Sequence, residues 1–315
     1  MINKALLLTE RYFAWSNVYG LARTILALGT MLTLLLNGTD MLFVATNHVT
    51  SRCDALNISL YCILPDLEVS RWISIFVLFL VVIGWKPMVT GLLHWYVAYS
   101  FISSATVIDG GDHIASIITL LLVPVTLTDT RAWHWSTVSP GHTILDQVWY
   151  PAKSLLALSC LVVIKIQVAV IYLNSAVGKT FVDEWKDGTA IYYWFKHPLF
   201  GYPSWLRPIL EPLILDGSLV FLLSWGTIIF ELILFAGLFM DKRLKKWLLV
   251  SGVLFHFLTV LIHGLGSFFF TMTAALILYL SPIGQNYSGL ISLKSWFQSV
   301  INRYRTNSKT PEITV

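Results

Sequence analysis

The stretch KIQVAVIYLNSAVGK sets Lys165, Tyr172 and Lys179 seven residues apart. Seven steps of about 100° overshoot two helical turns by about 20°, so on a helix the three share one stripe, with Gln167 nearer the opposite face. A lysine on such a stripe can serve as a base if it sheds its proton near neutral pH, which arginine does not do. Glu231 interrupts the apolar IIFELILF, and His256 and His263 in LFHFLTVLIHG are again seven apart and so share a face. In VIDGGDHIAS, Asp109, Asp112 and His113 surround two glycines. These are the residue types of acid–base chemistry. The last three also suit a divalent metal, but no HExxH or CxxC spacing is present and no metal is expected. Each feature has a plainer reading: a lysine at the end of an apolar helix snorkels, and a histidine within one bonds to a neighbouring helix.

The surroundings raise the stakes. Of the 315 residues 56% are hydrophobic and only 12% charged, against roughly 25% charged in soluble domains. Thirteen Trp and thirteen Tyr suit the aromatic belts of bilayer interfaces. The expected class is an all-α polytopic membrane protein with about eight transmembrane helices in one bundle, the spans falling near 20–36, 69–84, 88–108, 114–128, 155–177, 219–240, 247–262 and 265–280. One membrane unit, residues 20–282, stands between a segment 1–19 and a polar tail 283–315. Ionisable groups inside spans are costly and mark sites by default. This reading sets Lys165 near mid-membrane, where it needs a partner, and Glu231 is the obvious one. Lys179 falls at the outer end.

Of the 21 Lys and Arg, six (Arg52, Arg71, Lys179, Lys186, Lys196 and Arg207) fall on one side, Lys165 lies inside a span, and the other fourteen fall on the opposite side. The positive-inside rule then puts both termini in the cytoplasm of a cell-membrane protein. Cys53 and Cys62, nine positions apart in the first external loop, are expected to form a disulfide, whereas Cys160 reads as a small apolar residue. Prolines 198, 203, 208 and 212 punctuate an otherwise apolar segment, Lys196 to Gly217. They should prevent a continuous helix and leave a segment that covers the mouth of a cavity.

At this point a resemblance becomes specific. GLARTILALG, DGGDHIASIITLLLVPVTLTDTRAWHWS, QVAVIYLNSAVGKTFVDEW, IIFELILFAGLF and LFHFLTVLIHGLGSF resemble, in order, the vitamin K-dependent γ-carboxylase-like superfamily and its bacterial HTTM proteins. Within it NGTDMLF, VIGWKPMVTGLLHWYVAYS, KIQVAVIYLN and EWKDGTAIYYWFKHPLFG resemble the sporulation-delaying protein B family. That resemblance implies a bacterial membrane protein needed, with a small partner protein, to mature a secreted peptide toxin from its precursor. The superfamily likeness implies a quinol as possible cofactor and carries roles onto single positions: Lys179 as the base that starts quinol oxidation, and His113 and His256 as its catalytic companions. It also matches Glu231 to a span acid, Asp112 to a position held by an amide, and Lys165 to one held by an arginine. One extra residue between Lys179 and Trp185, the acid at 112 and the lack of the carboxylases' large extramembrane domain are departures, so the scaffold can be shared without the reaction.

Three functions compete. The first is maturation of a secreted antimicrobial peptide, by chemistry at Lys179, His113 and His256 or by holding the precursor. The second is a quinone-coupled oxidoreductase or carboxylase on another substrate, and the third an exporter or immunity protein without chemistry. An exporter should show an ATP-binding domain or paired broken helices in inverted repeats, and an immunity protein has no use for a stripe of buried ionisable groups. The first reading is preferred. The expected partners are the toxin precursor, the small maturation protein and membrane lipid, with no nucleic acid.

Overall fold

The computed structural model describes residues 13–44, 53, 58–136 and 144–287, and the regular structure among them is helical. Eight helices have 15 residues or more: α1 Asn17–Leu36, α2 Leu67–Ile83, α3 Pro87–Ser104, α4 Gly110–Leu127, α5 Ile144–Lys179, α6 Gly217–Ala236, α7 Lys242–His263 and α8 Gly266–Leu280. Their ends follow from local chemistry. The side chains of Ser16, Asp66, Asp109, Asp216 and Asp241 accept hydrogen bonds from first-turn backbone N–H groups of α1, α2, α4, α6 and α7, donors that have no carbonyl within their own helix. Pro87 opens α3, where a missing N–H costs nothing. Gly84 and Gly264 end α2 and α7 with φ of 87° and 73°, a conformation that suits glycine.

Five of these helices are long and apolar enough to cross a membrane: α1, α4, α5 from Trp149, α6 continued to Phe239, and α7. With 17 and 15 residues, α2 and α8 are shorter, and α3 is not among the five. Among the described residues the protein is thus an all-helical bundle with five helices able to cross a membrane by length and composition. Of the expected cytoplasmic segments, residues 1–12 and 288–315 lie outside the described residues.

The centre of the bundle is α8. It packs on α1, α4, α5 and α7, and every residue from Thr271 to Leu280 is buried. A helix apolar on all sides belongs inside a bundle, which explains why a stretch this short persists: protein, not lipid, surrounds it. Around it α1 packs on α2, α3 on α4 and α5 on α6. Buried Arg23 ties three elements together. It donates to Thr90 Oγ1 (3.2 Å) and lies 3.3 Å from His134 Nδ1, while Thr24 Oγ1 lies 3.3 Å from His134 Nε2. Cys53 and Cys62 form a disulfide with Cα atoms 5.3 Å apart, and Cys160 is free and half-buried.

Between α5 and α6 the chain folds into short helices Asp183–Lys186, Ala190–Phe195 and Arg207–Leu215, with a 3-10 turn at Ser204–Leu206. Pro198 and Pro203 sit in non-helical chain and Pro208 opens the last helix. Pro212 lies within that helix and does not end it, while the segment as a whole forms no continuous helix, as expected. Phe195, Ile214 and Val220 form a small core of their own, and Glu211 joins Lys196 (2.9 Å) to Arg207 (2.8 Å) across the connector.

The contact of α3 with α4 depends on one small residue. A Cβ on Gly91 would stand 2.0 Å from Thr126 Oγ1 and 2.3 Å from Thr126 Cβ, so Gly91→Ala should cost about 1–3 kcal/mol by overpacking. A lowered melting temperature of the detergent-purified protein checks this. As the control, Gly178→Ala, whose Cβ meets nothing within 4 Å, should melt no lower than the parent.

Candidate functional site

The last turns of α5 bring two polar side chains to one face, Ser175 and Lys179, at the i, i+4 spacing that makes helix neighbours. Both meet Glu231 of α6. Lys179 Nζ donates to both carboxylate oxygens at 2.8 Å and to Ser175 Oγ at 2.7 Å. Ser175 Oγ in turn donates to Glu231 Oε1 at 2.9 Å. The ring of Trp185, just beyond the end of α5, has its centroid 5.3 Å from the ammonium, a cation–π distance. Glu231 is 7% exposed. An ammonium has three N–H donors, and this one directs them into the cluster.

A turn back along α5, the hydroxyl of buried Tyr172 lies 2.9 Å from His256 Nε2 of α7. His256 is itself buried, edge-on to Phe255 and Phe268 with centroids at 5.2 and 5.5 Å. Its Nδ1 has no hydrogen-bond partner among the described residues. A buried polar atom without a partner is rare. The site therefore consists of an ion pair with a bridging hydroxyl, beside a tyrosine–histidine pair. Such groups can store, pass and accept protons. Lys179 must first leave Glu231, or hand a proton to it, before it can take one from elsewhere.

An HTTM domain model matches residues 120–283, which contain Lys179, Glu231 and His256 and leave out Asp112 and His113. Over 283 residues the chain is 40% identical to the sporulation-delaying protein SdpB of Bacillus subtilis strain 168, covering 88% of this chain and 85% of that protein. The chain belongs to the SdpB family. The same organism's uncharacterized protein YitO is 41% identical over 276 residues, 85% of this chain and 86% of YitO. No solved structure matches.

For this SdpB-family chain the structure revises several sequence expectations. Lys165 does not meet Glu231. Its Nζ donates to the carbonyl oxygens of Tyr279 and Ser281, the end of α8 where carbonyls lack helical partners. The reason is height. Glu231 lies fourteen residues after Gly217, the first residue of α6, about 21 Å along the helix at 1.5 Å per residue. Lys179, bonded to it, sits well inside the bundle rather than at its outer end, and Lys165 is displaced toward the opposite end. Gln167 is half-buried, and its side chain makes no hydrogen bond among the described residues.

Asp112 belongs to the start of α4 and not to the cluster. Its carboxylate accepts from Asp109 N–H (3.0 Å), while Asp109 accepts from the N–H groups of Gly111 (2.6 Å) and Asp112 (3.1 Å). This is a reciprocal capping box, and Asp109 also accepts from Ser267 Oγ at 2.6 Å. His113 is exposed and touches neither Lys179 nor His256 among the described contacts. His263 does not join His256 either: its Nδ1 lies 2.6 Å from the carbonyl oxygen of Phe200, fastening α7 to the connector. Trp185 reaches Lys179, whereas Tyr192, Tyr193 and Trp194 farther along the connector are exposed. Ser175 was not anticipated, although its position four residues before Lys179 was the available signal.

Since Lys165 and Glu231 serve different contacts, their removal should be independent. Lys165→Met uncaps α8 and Glu231→Leu strands Lys179, so each should lower the melting temperature. Together the losses should add to within about 0.5 kcal/mol, as for separate sites. A double variant that recovers stability would place the two side chains in contact.

Proposed function

We propose that this protein matures a secreted antimicrobial peptide of the sporulation-delaying type. It does so as a multi-pass cell-membrane protein of eight crossings, with both termini in the cytoplasm and a small partner protein beside it. The observation that carries this reading is the similarity to SdpB, 40% identity over 88% of this chain and 85% of that protein. The preferred site of action is the Lys179–Ser175–Glu231 cluster with Tyr172 and His256 alongside. In the resting site the ammonium is held by the carboxylate. Transfer of one proton from Lys179 Nζ to Glu231 leaves a neutral amine and a carboxylic acid, with no net change of charge. The amine can then take a proton from a precursor group that reaches the cluster, and Glu231 gives its own to the released group. His113, exposed at the start of α4, stands outside this exchange and serves the approach of the precursor.

A second reading, in which the same site serves a quinol, rests on one observation. The buried Nδ1 of His256, unpartnered among the described residues and walled by Phe255 and Phe268, suits a polar edge on a flat apolar ring. A quinol bound there would supply electrons. His256 would orient it and Lys179 would accept its proton.

The test is Lys179→Arg in a producing strain that lacks its own family member, scored as mature peptide in the medium at matched membrane-protein level. Arginine keeps the charge and the attraction to Glu231 but does not give up a proton. If Lys179 is a base, product should fall by roughly 100-fold or more, the usual worth of such a group. Undiminished product would make the cluster a structural clamp and the protein a holder of the precursor.

A further inference from the structure

A groove opens at the other end of the bundle from the Lys179 cluster, between α5, the first turns of α7 and the end of α8. It has a volume of about 710 Å³, within the ~300–1,000 Å³ typical of ligand sites. Leu155, Leu158 and Val162 of α5 form one wall, and Lys165, Lys242 and Lys245 also line it, with no acidic residue in the lining. Lys242 and Lys245 are three apart on α7 and so share a face. Arg243 and Lys246, on the same turns, are not part of the lining.

Among the described residues no carboxylate forms an ion pair with these lysines. The neighbouring Asp241 uses its carboxylate to accept from the N–H groups of Arg243 and Leu244 (2.8 and 2.9 Å). Among the described residues Lys245 reaches only a backbone carbonyl, that of Leu238 at 3.3 Å. Lys165 donates to Tyr279 and Ser281 carbonyls, which leaves one of its three N–H groups for a ligand. Like charges gathered around a partly apolar cleft repel one another unless an anion sits among them. A small hydrated anion would satisfy the charge but leave the leucine and valine wall against water. A molecule with an anionic head and an apolar chain satisfies both, and basic pockets between helices at one membrane face hold such lipid head groups.

We propose that this groove binds one anionic phospholipid, its phosphate on Lys242 and Lys245 and an acyl chain along Leu155, Leu158 and Val162. The site is separate from the Lys179 cluster and does not depend on its chemistry. Full-length protein, stripped of lipid in a neutral detergent, would be titrated with dioleoyl phosphatidylglycerol, with dioleoyl phosphatidylcholine and with inorganic phosphate. Thermal stability and retention in native mass spectra are the readouts. Phosphatidylglycerol should raise the melting temperature and remain bound as one copy, while phosphatidylcholine and phosphate should do neither. Lys242→Ser with Lys245→Ser should raise the half-saturating phosphatidylglycerol concentration roughly tenfold or more. Arg243→Ser with Lys246→Ser removes the same charge from the same turns and should leave it unchanged. Equal stabilisation by the zwitterionic lipid, or by phosphate alone, would overturn the proposal. So would an equal loss in the two double variants, which would assign the effect to general surface charge. If the first double variant does not fold, the comparison of lipids on the parent protein still decides.

Discussion

A lysine and a carboxylate inside a helix bundle are stable only in each other's company, and the contact of Lys179 with Glu231 organises much of what surrounds it. Removing one partner of a buried pair leaves an uncompensated charge, typically at a cost of about 3–5 kcal/mol. The two residues are therefore bound to meet, and the meeting sets the relative height of α5 and α6. With Glu231 fourteen residues into α6, α5 must end within the bundle, and the chain beyond Lys179 has to climb beside α6. It does so through Gly188, whose missing side chain clears Phe221, and through Ile191, whose N–H donates to Ser224 Oγ at 3.2 Å. The short helices of the connector follow from that constraint, and they carry Trp185 to the lysine.

The other half of the arrangement is α8. As the central helix it touches both the α5 side and the α1 side of the bundle, and each of its ends is managed by a polar group from elsewhere. Near its start, Ser267 bonds to the capping acid of α4, and Phe268 stands against His256. At its end, Lys165 takes the free carbonyls, while Tyr279 donates to the carbonyls of Leu234 and Phe235 at 3.0 and 2.9 Å. Two lysines of α5 thus divide the work: Lys179 closes the site, and Lys165 closes the helix on which the site rests.

Much of this was legible in the sequence, and the remainder was hidden for identifiable reasons. Long apolar stretches mark the helices, and the seven-residue spacing correctly sets Lys165, Tyr172 and Lys179 on one stripe. Periodicity reports the angle around a helix and says nothing of height, so it could not tell which lysine would meet Glu231. Hydropathy does not separate burial in lipid from burial in protein, so it could not show that α8 is surrounded by its neighbouring helices. The pair Asp109 and Asp112 looked like chemistry because both are acids. Their i, i+3 spacing before an apolar run is also that of a capping box, and capping is what they do. The pairing of Tyr172 with His256 joins residues 84 positions apart, a distance across which no local pattern can speak.

The most direct measurement is a double-mutant cycle on the ion pair, following thermal unfolding of the parent, Lys179→Met, Glu231→Leu and the double variant in one detergent. Each single variant should melt well below the parent, because each strands a buried charge. The double variant should melt close to the parent, with a coupling of about 3 kcal/mol or more. Losses that simply add would show that Lys179 and Glu231 do not meet, and the account of the site would fail with them.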